Sequence, residues 1–424
     1  MGSGIAALLR LAAIDLSPLR RRDFRLLFVG QLVSFLGSQA TFVAVAFQVY
    51  QLTRSSLAVG LLGLVELGPV LGFAFLGGAL ADARDRRLMV LLTELVFTVA
   101  SGVLLANALA PSPSLGVVYA VTAVQAGLYA LQRPSLDSLL PRLVPPGEVT
   151  AAGTLNMLRG SVGLVAGPAL AGVLIATAGL PVTYGLDLLS FAASLAALAL
   201  MRATPPPLDA ERPSLRRVVE GLRYARRRPD LLGTYVVDLI AMFFGMPQAL
   251  FPAIAASLGG PGVLGMLYAA PAAGAMAAMA TSGWTNRVNR QGWGVILAAA
   301  VWGVAITGLG LAGSLPAALL CLAVGGAADA VSGIFRSAIW NRTIPDSLRG
   351  RLASIELLSY STGPLLGNVE SGAVAALFSV RVSVLSGGLL CVAGCLACAL
   401  LLPGFRAFDL RGWTAEPGGA MSES

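Results

Sequence analysis

The sequence predicts an all-α integral membrane protein with twelve transmembrane helices in two pseudo-symmetric six-helix bundles. Of its 424 residues, 56% are hydrophobic and only 12% are charged, and the mean hydropathy is +0.80. Soluble domains carry about 25% charged residues. A soluble fold of this length could not cover its core with so few charges, so lipid must be the main solvent of this chain.

Twelve apolar runs supply the helices. A helix needs about 20 apolar residues to cross about 30 Å of hydrocarbon. The runs that we number spans 1 to 12 cover residues 24–50, 55–80, 88–109, 114–139, 151–177, 180–201, 230–257, 261–282, 293–312, 315–338, 352–378 and 381–402. An N-terminal segment, 1–23, precedes them and a tail, 403–424, follows. The basic residues Arg20 to Arg22 follow an apolar stretch, which predicts an interfacial helix and not a signal peptide.

The placement of arginine predicts the orientation. All 29 basic residues are arginine. With the N-terminus inside, 24 of the 29 fall in cytoplasmic segments and two in outer loops. Because cytoplasmic loops carry the excess of basic residues, we expect an inner or plasma membrane protein with both termini in the cytoplasm.

The longest polar interval, 202–229, lies between spans 6 and 7 and divides the chain into bundles 24–201 and 230–402. Its segment 214–228 reads as a basic amphipathic helix for the anionic inner leaflet, and not as a nucleic-acid site. The two bundles show a weak internal repeat, because Gly167-Pro168 in span 5 corresponds to Gly363-Pro364 in span 11. Such repetition is typical of transporter folds.

The missing residue types exclude several functions. Without lysine there is no P-loop for nucleotide phosphates, and without histidine there is no Ser-His-Asp triad or zinc-protease site. The four cysteines lie in apolar runs and read as small core residues. We therefore expect no enzyme, no metal and no cofactor.

The loop after span 2 carries the first specific motif, in the segment Gly77–Arg87. It resembles the loop 2–3 signature of the major facilitator superfamily, Gly-x-x-x-Asp-Arg-x-Gly-Arg-Arg. The matching residues are Gly78, Asp82, Arg86 and Arg87, and Arg84 keeps a charge next to the replaced positions Ala83 and Asp85. In the family the aspartate lies near the N-terminus of span 11, where a helix dipole favours an anion. The resemblance implies a cytoplasmic latch, and a purely topogenic loop is the alternative.

Span 5 carries the second motif, Gly163-x-x-x-Gly167-Pro168-x-x-Ala171-Gly172. It resembles the superfamily's antiporter motif, Gly-x-x-x-Gly-Pro-x-x-Gly-Gly, with Ala171 in place of one glycine. Glycines four apart let helices touch through their backbones, and the proline bends the span. The motif favours export over uptake. The chain as a whole resembles the branch of enterobactin-type siderophore exporters and macrolide efflux proteins.

Charges inside the spans are the candidates for energy coupling. At 1.5 Å per residue, Glu66 lies near the middle of span 2, with Arg159 and Asp238 about 12 Å into spans 5 and 7. Asp329 lies beyond the middle of span 10. In the superfamily spans 1, 4, 7 and 10 line a cavity and spans 2, 5, 8 and 11 flank it, so these four residues are cavity candidates, or else buried structural pairs.

The resulting hypothesis is a secondary active transporter that works by alternating access. We expect a proton-coupled exporter, or antiporter, of a small amphipathic molecule such as a drug, siderophore or secondary metabolite. Glu66 is the first candidate for the proton, with Arg159 as its counter-ion and with Asp238 and Asp329 as the fallback. The alternative is a facilitator or symporter that imports a nutrient. For the exporter we expect the substrate, protons and membrane lipids as partners, and we expect it to act as a monomer. Glu94 and Asp187, on supporting spans 3 and 6, are expected to satisfy local helix contacts.

Overall fold

The computed structural model is helical along its described length. It describes residues 15–83, 85–202, 228–344 and 346–409, and the side chains of these except 74–83, 229 and 346–360. Arg84, the linker from 203 to 227 and the tail from 410 therefore lie outside the described residues, as does most of the predicted amphipathic helix 214–228. No strand occurs among the described residues.

Each predicted span corresponds to a helix. In the first half the helices are Arg22–Thr53, Ser56–Ala83, Arg86–Leu109, Leu115–Leu139, Val149–Thr177 and Gly179–Ala199. In the second half they are Pro229–Phe244 with Phe251–Leu258, Pro261–Ala280, Gln291–Leu311, Leu315–Thr343, Asp346–Leu377 and Val380–Leu401. We keep the names spans 1 to 12 for them. Among the described residues, eleven of these helices are long and apolar enough to cross a membrane, and the 32-residue helix of span 11 is the further candidate.

Span 7 differs from the continuous helix that its apolar run suggested. Its first helix ends at Phe244, and a 3-10 turn, Gln248–Leu250, separates it from the second helix. Pro247 and Pro252 lack the backbone N–H that a continuous helix would use. The side chain of Asn368 in span 11 accepts a hydrogen bond from the backbone N–H of Ala249 at 3.0 Å. The break leaves the N–H of Ala249 without a partner within the helix, and the Asn368 side chain of span 11 supplies that partner. Irregular backbone in a membrane interior needs such hydrogen bonds.

The first compact unit comprises Met1–Arg54, Val65–Pro213 and Gly259–Ala269. Within it span 6 packs along spans 1 and 3, and span 4 packs on span 3. Aliphatic side chains such as Leu27, Val90 and Leu198 form a core cluster near one end of these helices. This unit includes the start of span 8, because Gly265 lies against Pro168 and Gly172 of span 5.

The second compact unit comprises Ser55–Leu64, Ser214–Leu258 and Ala270–Ser424. Spans 9, 10 and 12 pack together in it, and span 7 packs on spans 11 and 12. The first residues of span 2 belong to this unit, since Gly60 and Gly63 lie against the backbone of Asn368 and Leu365 in span 11. Each unit therefore contains a short stretch from the other half of the chain, and the predicted division into bundles 24–201 and 230–402 stays a prediction.

Candidate functional site

Glu66 lies in span 2 with its side chain partly exposed. No ion pair reaches it from the residues whose side chains the structure describes. A Cβ placed on Gly68 or Gly72, further along the same helix, would meet nothing within 4 Å. Among the described side chains Glu66 therefore has no counter-ion, and it lies beside a stretch of helix with open space around it.

Arg159, the predicted counter-ion of Glu66, makes other contacts. Its guanidinium donates to the side-chain oxygen of Asn156 at 3.1 Å and to the backbone oxygen of Gln31 at 3.2 Å. It also lies over the ring of Phe35, at 5.6 Å from the centroid. Arg159 therefore joins span 5 to span 1, and the structure does not pair it with Glu66.

The structure brings Asp238 and Asp329 together through a third residue. Arg336 of span 10 forms an ion pair with Asp238 of span 7, and a second amino group of its guanidinium lies 3.8 Å from the Asp329 carboxylate. The side chains of Asp238 and Arg336 are 6% and 11% exposed, whereas that of Asp329 is 44% exposed. One guanidinium thus connects a buried and an accessible carboxylate.

A second contact between the same two helices lies one turn away. The indole N–H of Trp340 donates to the hydroxyl of Thr234 at 2.9 Å, and the ring of Trp340 stacks on Tyr235. Trp340 is four residues from Arg336, and Thr234 is four residues from Asp238, so both contacts share one face of each helix. Spans 7 and 10 therefore present a charged contact next to an aromatic one.

Glu94 and Asp187 form a third polar group, deep in the first unit. Both are buried, and neither has an arginine within ion-pair distance among the described residues. Amide groups of Gln31 and Gln132 donate to one oxygen of Glu94 at 2.7 and 3.1 Å, and Ser101 donates to one oxygen of Asp187 at 2.6 Å. Sequence reasoning expected only local packing here. The sequence did contain a signal for this polar group. Glu94 and Ser101 in span 3, and Asp187 and Ser194 in span 6, are each seven residues apart, which places both polar side chains on one face of their helix.

Three motif residues in the loop between spans 2 and 3 stabilise helix ends. The Asp85 side chain caps span 3 by accepting from the backbone N–H groups of Arg87 and Leu88. Arg87 donates to the last carbonyls of span 6, those of Leu198 and Ala199, at 2.9 and 2.7 Å. Arg86 donates to the carbonyl of Ser138 at the end of span 4. Cations at helix C-termini are favourable, so the described residues hold spans 3, 4 and 6 together at this end.

The proposed latch residues are described only in part. Gly78 and Asp82 lie in the helix of span 2, and their side chains are outside the described set, as is Arg84 entirely. The side chains at the start of span 11 are outside it too. The latch therefore stays a prediction.

The glycines of the span 5 motif mark two different helix contacts. A Cβ on Gly163 would collide with the ring of Phe35, and one on Gly167 would lie 3.1 Å from the backbone oxygen of Leu36, both in span 1. A Cβ on Gly172 would lie 2.9 Å from the Cα of Gly265 in span 8. Pro168 is inside the helix, and its carbonyl oxygen faces Gly265. The motif therefore packs span 5 on span 1 along one stretch and on span 8 along the next.

Metal and thiol chemistry find no site in the described part of the chain. No group of three or more His, Cys, Asp or Glu side chains there is placed to hold a metal ion. The four cysteines are free thiols, three of them buried in span 12.

Known families and curated proteins that are similar to this chain are secretion and export proteins. The family described as "Transmembrane secretion effector" matches residues 13–419. The enterobactin exporter of Escherichia coli O1:K1 is 27% identical over 377 residues, covering 88% of this chain and 91% of that protein. The enterobactin exporter of Shigella boydii serotype 18 is 28% identical over 380 residues, with the same coverage.

Solved structures share the fold at lower sequence identity. A POT family transporter in complex with 5-aminolevulinic acid matches with a TM-score of 0.72 and 11% identity, covering 91% of this chain and 97% of that one. A bacterial homologue of the iron transporter ferroportin, in an inward-facing state, matches with a TM-score of 0.65 and 18% identity, over 91% and 99% of the two chains.

Proposed function

The chain belongs to the transmembrane secretion effector family of the major facilitator superfamily, and from this premise we propose that it is a proton-coupled exporter of a small amphipathic molecule. It is a multi-pass membrane transporter and not an enzyme. The proposal adds the coupling ion, the direction across the cytoplasmic membrane and the class of substrate. We propose further that both termini lie in the cytoplasm and that the transporter works as a monomer.

The arrangement of Arg336 between Asp238 and Asp329 supports a proton-binding carboxyl in the second half, which is the fallback site of the proposal. Removing one partner of a buried ion pair leaves an uncompensated charge at a cost of about 3–5 kcal/mol, so Arg336 needs a carboxylate in every state of the cycle. Asp238 serves as that partner. Asp329, more exposed and further from the guanidinium, is then free to take and release a proton.

Glu66 remains our first candidate for the proton that drives the cycle. A carboxylate in a membrane interior without a counter-ion is unfavourable, and protonation removes the charge. The chain has no histidine, so carboxyl groups must carry any coupled proton at neutral pH. In the proposed cycle a protonated Glu66 accompanies the return of the empty transporter, and the substrate binds when that proton has left.

The substrate class follows from the relatives and from the lining of spans 7 and 10. The curated relatives are named as exporters of enterobactin. Trp340 and Tyr235 supply aromatic surface beside the charged Asp238 and Arg336. Such a combination suits a molecule with both an aromatic face and polar groups.

The experiment is transport into inverted membrane vesicles. We expect vesicles that are acidified inside to accumulate iron-free enterobactin, a macrolide or a lipophilic cationic dye, and an uncoupler to abolish the accumulation. Counterflow of the same compounds in the absence of a gradient measures binding and cycling alone. A nutrient importer would instead release preloaded substrate from such vesicles, and that result would replace the export proposal.

Orientation has its own test. A Ser424→Cys variant in which the four native cysteines are replaced should be labelled by an impermeant maleimide only after the cells are opened. Labelling of this cysteine from outside intact cells would contradict the proposed topology.

A further inference from the structure

Two buried carboxyl groups of the first unit have no part in the cavity chemistry proposed above. Glu94 in span 3 is 1% exposed and Asp187 in span 6 is 0% exposed. Each has one oxygen that accepts hydrogen bonds and one, Oε2 of Glu94 and Oδ1 of Asp187, that is buried with no hydrogen-bond partner in the part of the chain that the structure describes. The same half-satisfied state thus occurs twice, on neighbouring helices.

The groups around Glu94 are almost all neutral. Span 1 contributes Gln31, span 4 contributes Gln132 and span 6 contributes Ser194, which accepts from Gln31 at 3.4 Å. Arg159 of span 5 acts on Glu94 only at a distance beyond an ion pair, and Tyr129 and Asp137 of span 4 act in turn on Arg159. Glu94 therefore meets amide and hydroxyl dipoles but no directly bound cation.

The groups around Asp187 are neutral as well. Ser101 of span 3 donates to the Oδ2 atom of Asp187. The hydroxyl of Thr41 in span 1 lies near Asp187, and among the described residues this hydroxyl has no hydrogen-bond partner. Tyr184, one turn earlier in span 6, is the nearest other titratable group apart from Glu94. A Cβ on Gly37 of span 1 would lie 2.7 Å from the unpartnered Oδ1 and would also collide with the hydroxyl of Ser190, so the backbone of span 1 packs closely against this carboxyl.

Charge balance decides the state of these groups. Apart from Arg133 and Asp137, which pair with each other toward the end of span 4, the described interior of spans 1 to 6 holds the carboxyls Glu66, Glu94 and Asp187 and the guanidinium of Arg159. Burying an ionised carboxylate without a paired cation is strongly unfavourable. If all three were ionised, two of the charges would lack compensation, so protons must neutralise the buried ones. The unpartnered oxygens are where those protons would bind.

A separate hydrogen bond lies between Asp187 and one end of the bundle, one helix turn from the carboxyl. The hydroxyl of Tyr184 donates to Gln48 of span 1 at 2.7 Å. Gln48 lines a pocket of about 480 Å³ formed where spans 1 and 3 end and span 6 begins. Under the proposed topology this end faces the outside of the cell, where protons are more abundant.

We propose that Glu94 and Asp187 are a second proton-binding site, built among spans 1, 3 and 6, that exchanges protons through the Gln48 pocket. The proton adds to Oε2 of Glu94 or Oδ1 of Asp187 and converts a carboxylate to a carboxylic acid, with no other bond changed. The inference rests on the proposed function in so far as these protons take part in the transport cycle. The presence of the site itself does not depend on it.

Infrared spectroscopy of the purified protein in lipid nanodiscs tests the site without a substrate. We expect the wild type, titrated from pH 8 to pH 5, to gain the C=O stretch of these protonated carboxylic acids, shifted in D2O. Glu94→Gln and Asp187→Asn should each remove one component, because amides of the same shape keep the packing and cannot hold an acidic proton. Ser101→Ala is the matched control, since it removes a hydrogen bond at the same depth and keeps both carboxyls, so both components should remain. Unchanged spectra in both folded amide variants would overturn the proposal.

Transport then separates this inference from the proposed function. If inverted vesicles show no proton-driven export but the two infrared components are lost as expected, the proton site stands and the transport proposal fails. If export is proton-driven and Glu94→Gln and Asp187→Asn show the wild-type spectrum, pH profile and proton-to-substrate ratio, the two carboxyls are structural only and the inference fails.

Discussion

The two halves of the chain bury acidic side chains in different ways. In the second half Asp238 and Asp329 share the guanidinium of Arg336. In the first half Glu94 and Asp187 are held by amides and hydroxyls, with no arginine in ion-pair distance among the described residues. In the second half an arginine compensates the buried carboxylate of Asp238, whereas in the first half only neutral groups are hydrogen-bonded to the two buried carboxyls. We therefore propose that the two halves bind protons in different settings, beside a fixed ion pair in one and among neutral dipoles in the other.

Neutralising Asp238 should give the largest effect. Asp238→Asn leaves Arg336 with only the distant Asp329, and an unpaired buried charge costs about 3–5 kcal/mol. We expect a large loss of thermal stability and no export, measured by a thermal shift assay and by vesicle transport. The double variant Asp238→Asn with Arg336→Gln should recover stability but not transport. Equal stability of Asp238→Asn and wild type would show that the ion pair is not what holds spans 7 and 10.

Glu66→Gln tests the unpaired carboxyl directly. We expect this variant to lose pH-gradient-driven export while substrate binding and counterflow remain, because the amide keeps the size of the side chain and cannot carry the proton. If Glu66→Gln exports at the full rate and an uncoupler still stops it, Glu66 is not the coupling group and Asp329 becomes the first candidate.

Gly172→Leu probes the span 5 motif. The new side chain would meet the backbone of Gly265, which cannot move aside as a flexible side chain can. We expect near-normal expression, because lipid-facing parts of the fold are untouched, but a markedly slower counterflow. Gly160→Leu in the same span is the control, since a Cβ there meets nothing within 4 Å. Equally slow transport in both variants would argue against a specific contact with span 8.

Asp82→Asn should give the smallest of these effects. If the residue acts as a latch at the end of a helix dipole, its charge contributes about 1 kcal/mol, and cycling should slow a few-fold with little change in folding. Counterflow rates normalised to the amount of protein measure this. Wild-type rates would leave the loop with its topogenic role and with the helix-end contacts of Arg86 and Arg87.

The sequence predicted the helices and the family well because both depend on long, local patterns. Apolar runs of membrane length and glycine-rich motifs are visible without coordinates. It also identified Asp238 and Asp329, but their connection through Arg336 needs the contact of spans 7 and 10, which residues almost a hundred positions apart do not reveal.

Other features depended on packing that no local pattern encodes. Arg159 and Glu66 both lie at similar depth, yet helix rotation turns Arg159 toward Phe35 and the backbone of span 1. The break in span 7 was signalled by Gly245, Pro247 and Pro252, but the apolar run around them was read as one continuous helix. Asp85, which seemed to be a departure from the family motif, is the cap of span 3.

Proton release on substrate binding is the most direct test of the central claim. Purified transporter in a weakly buffered solution with a pH indicator is titrated with iron-free enterobactin or with whichever compound the vesicles accumulate. Antiport predicts that substrate binding releases protons, that Glu66→Gln releases fewer, and that the release disappears when the pH is high enough to deprotonate the site beforehand. Substrate binding that takes up protons, or leaves the pH unchanged over the whole range, would contradict proton-coupled export.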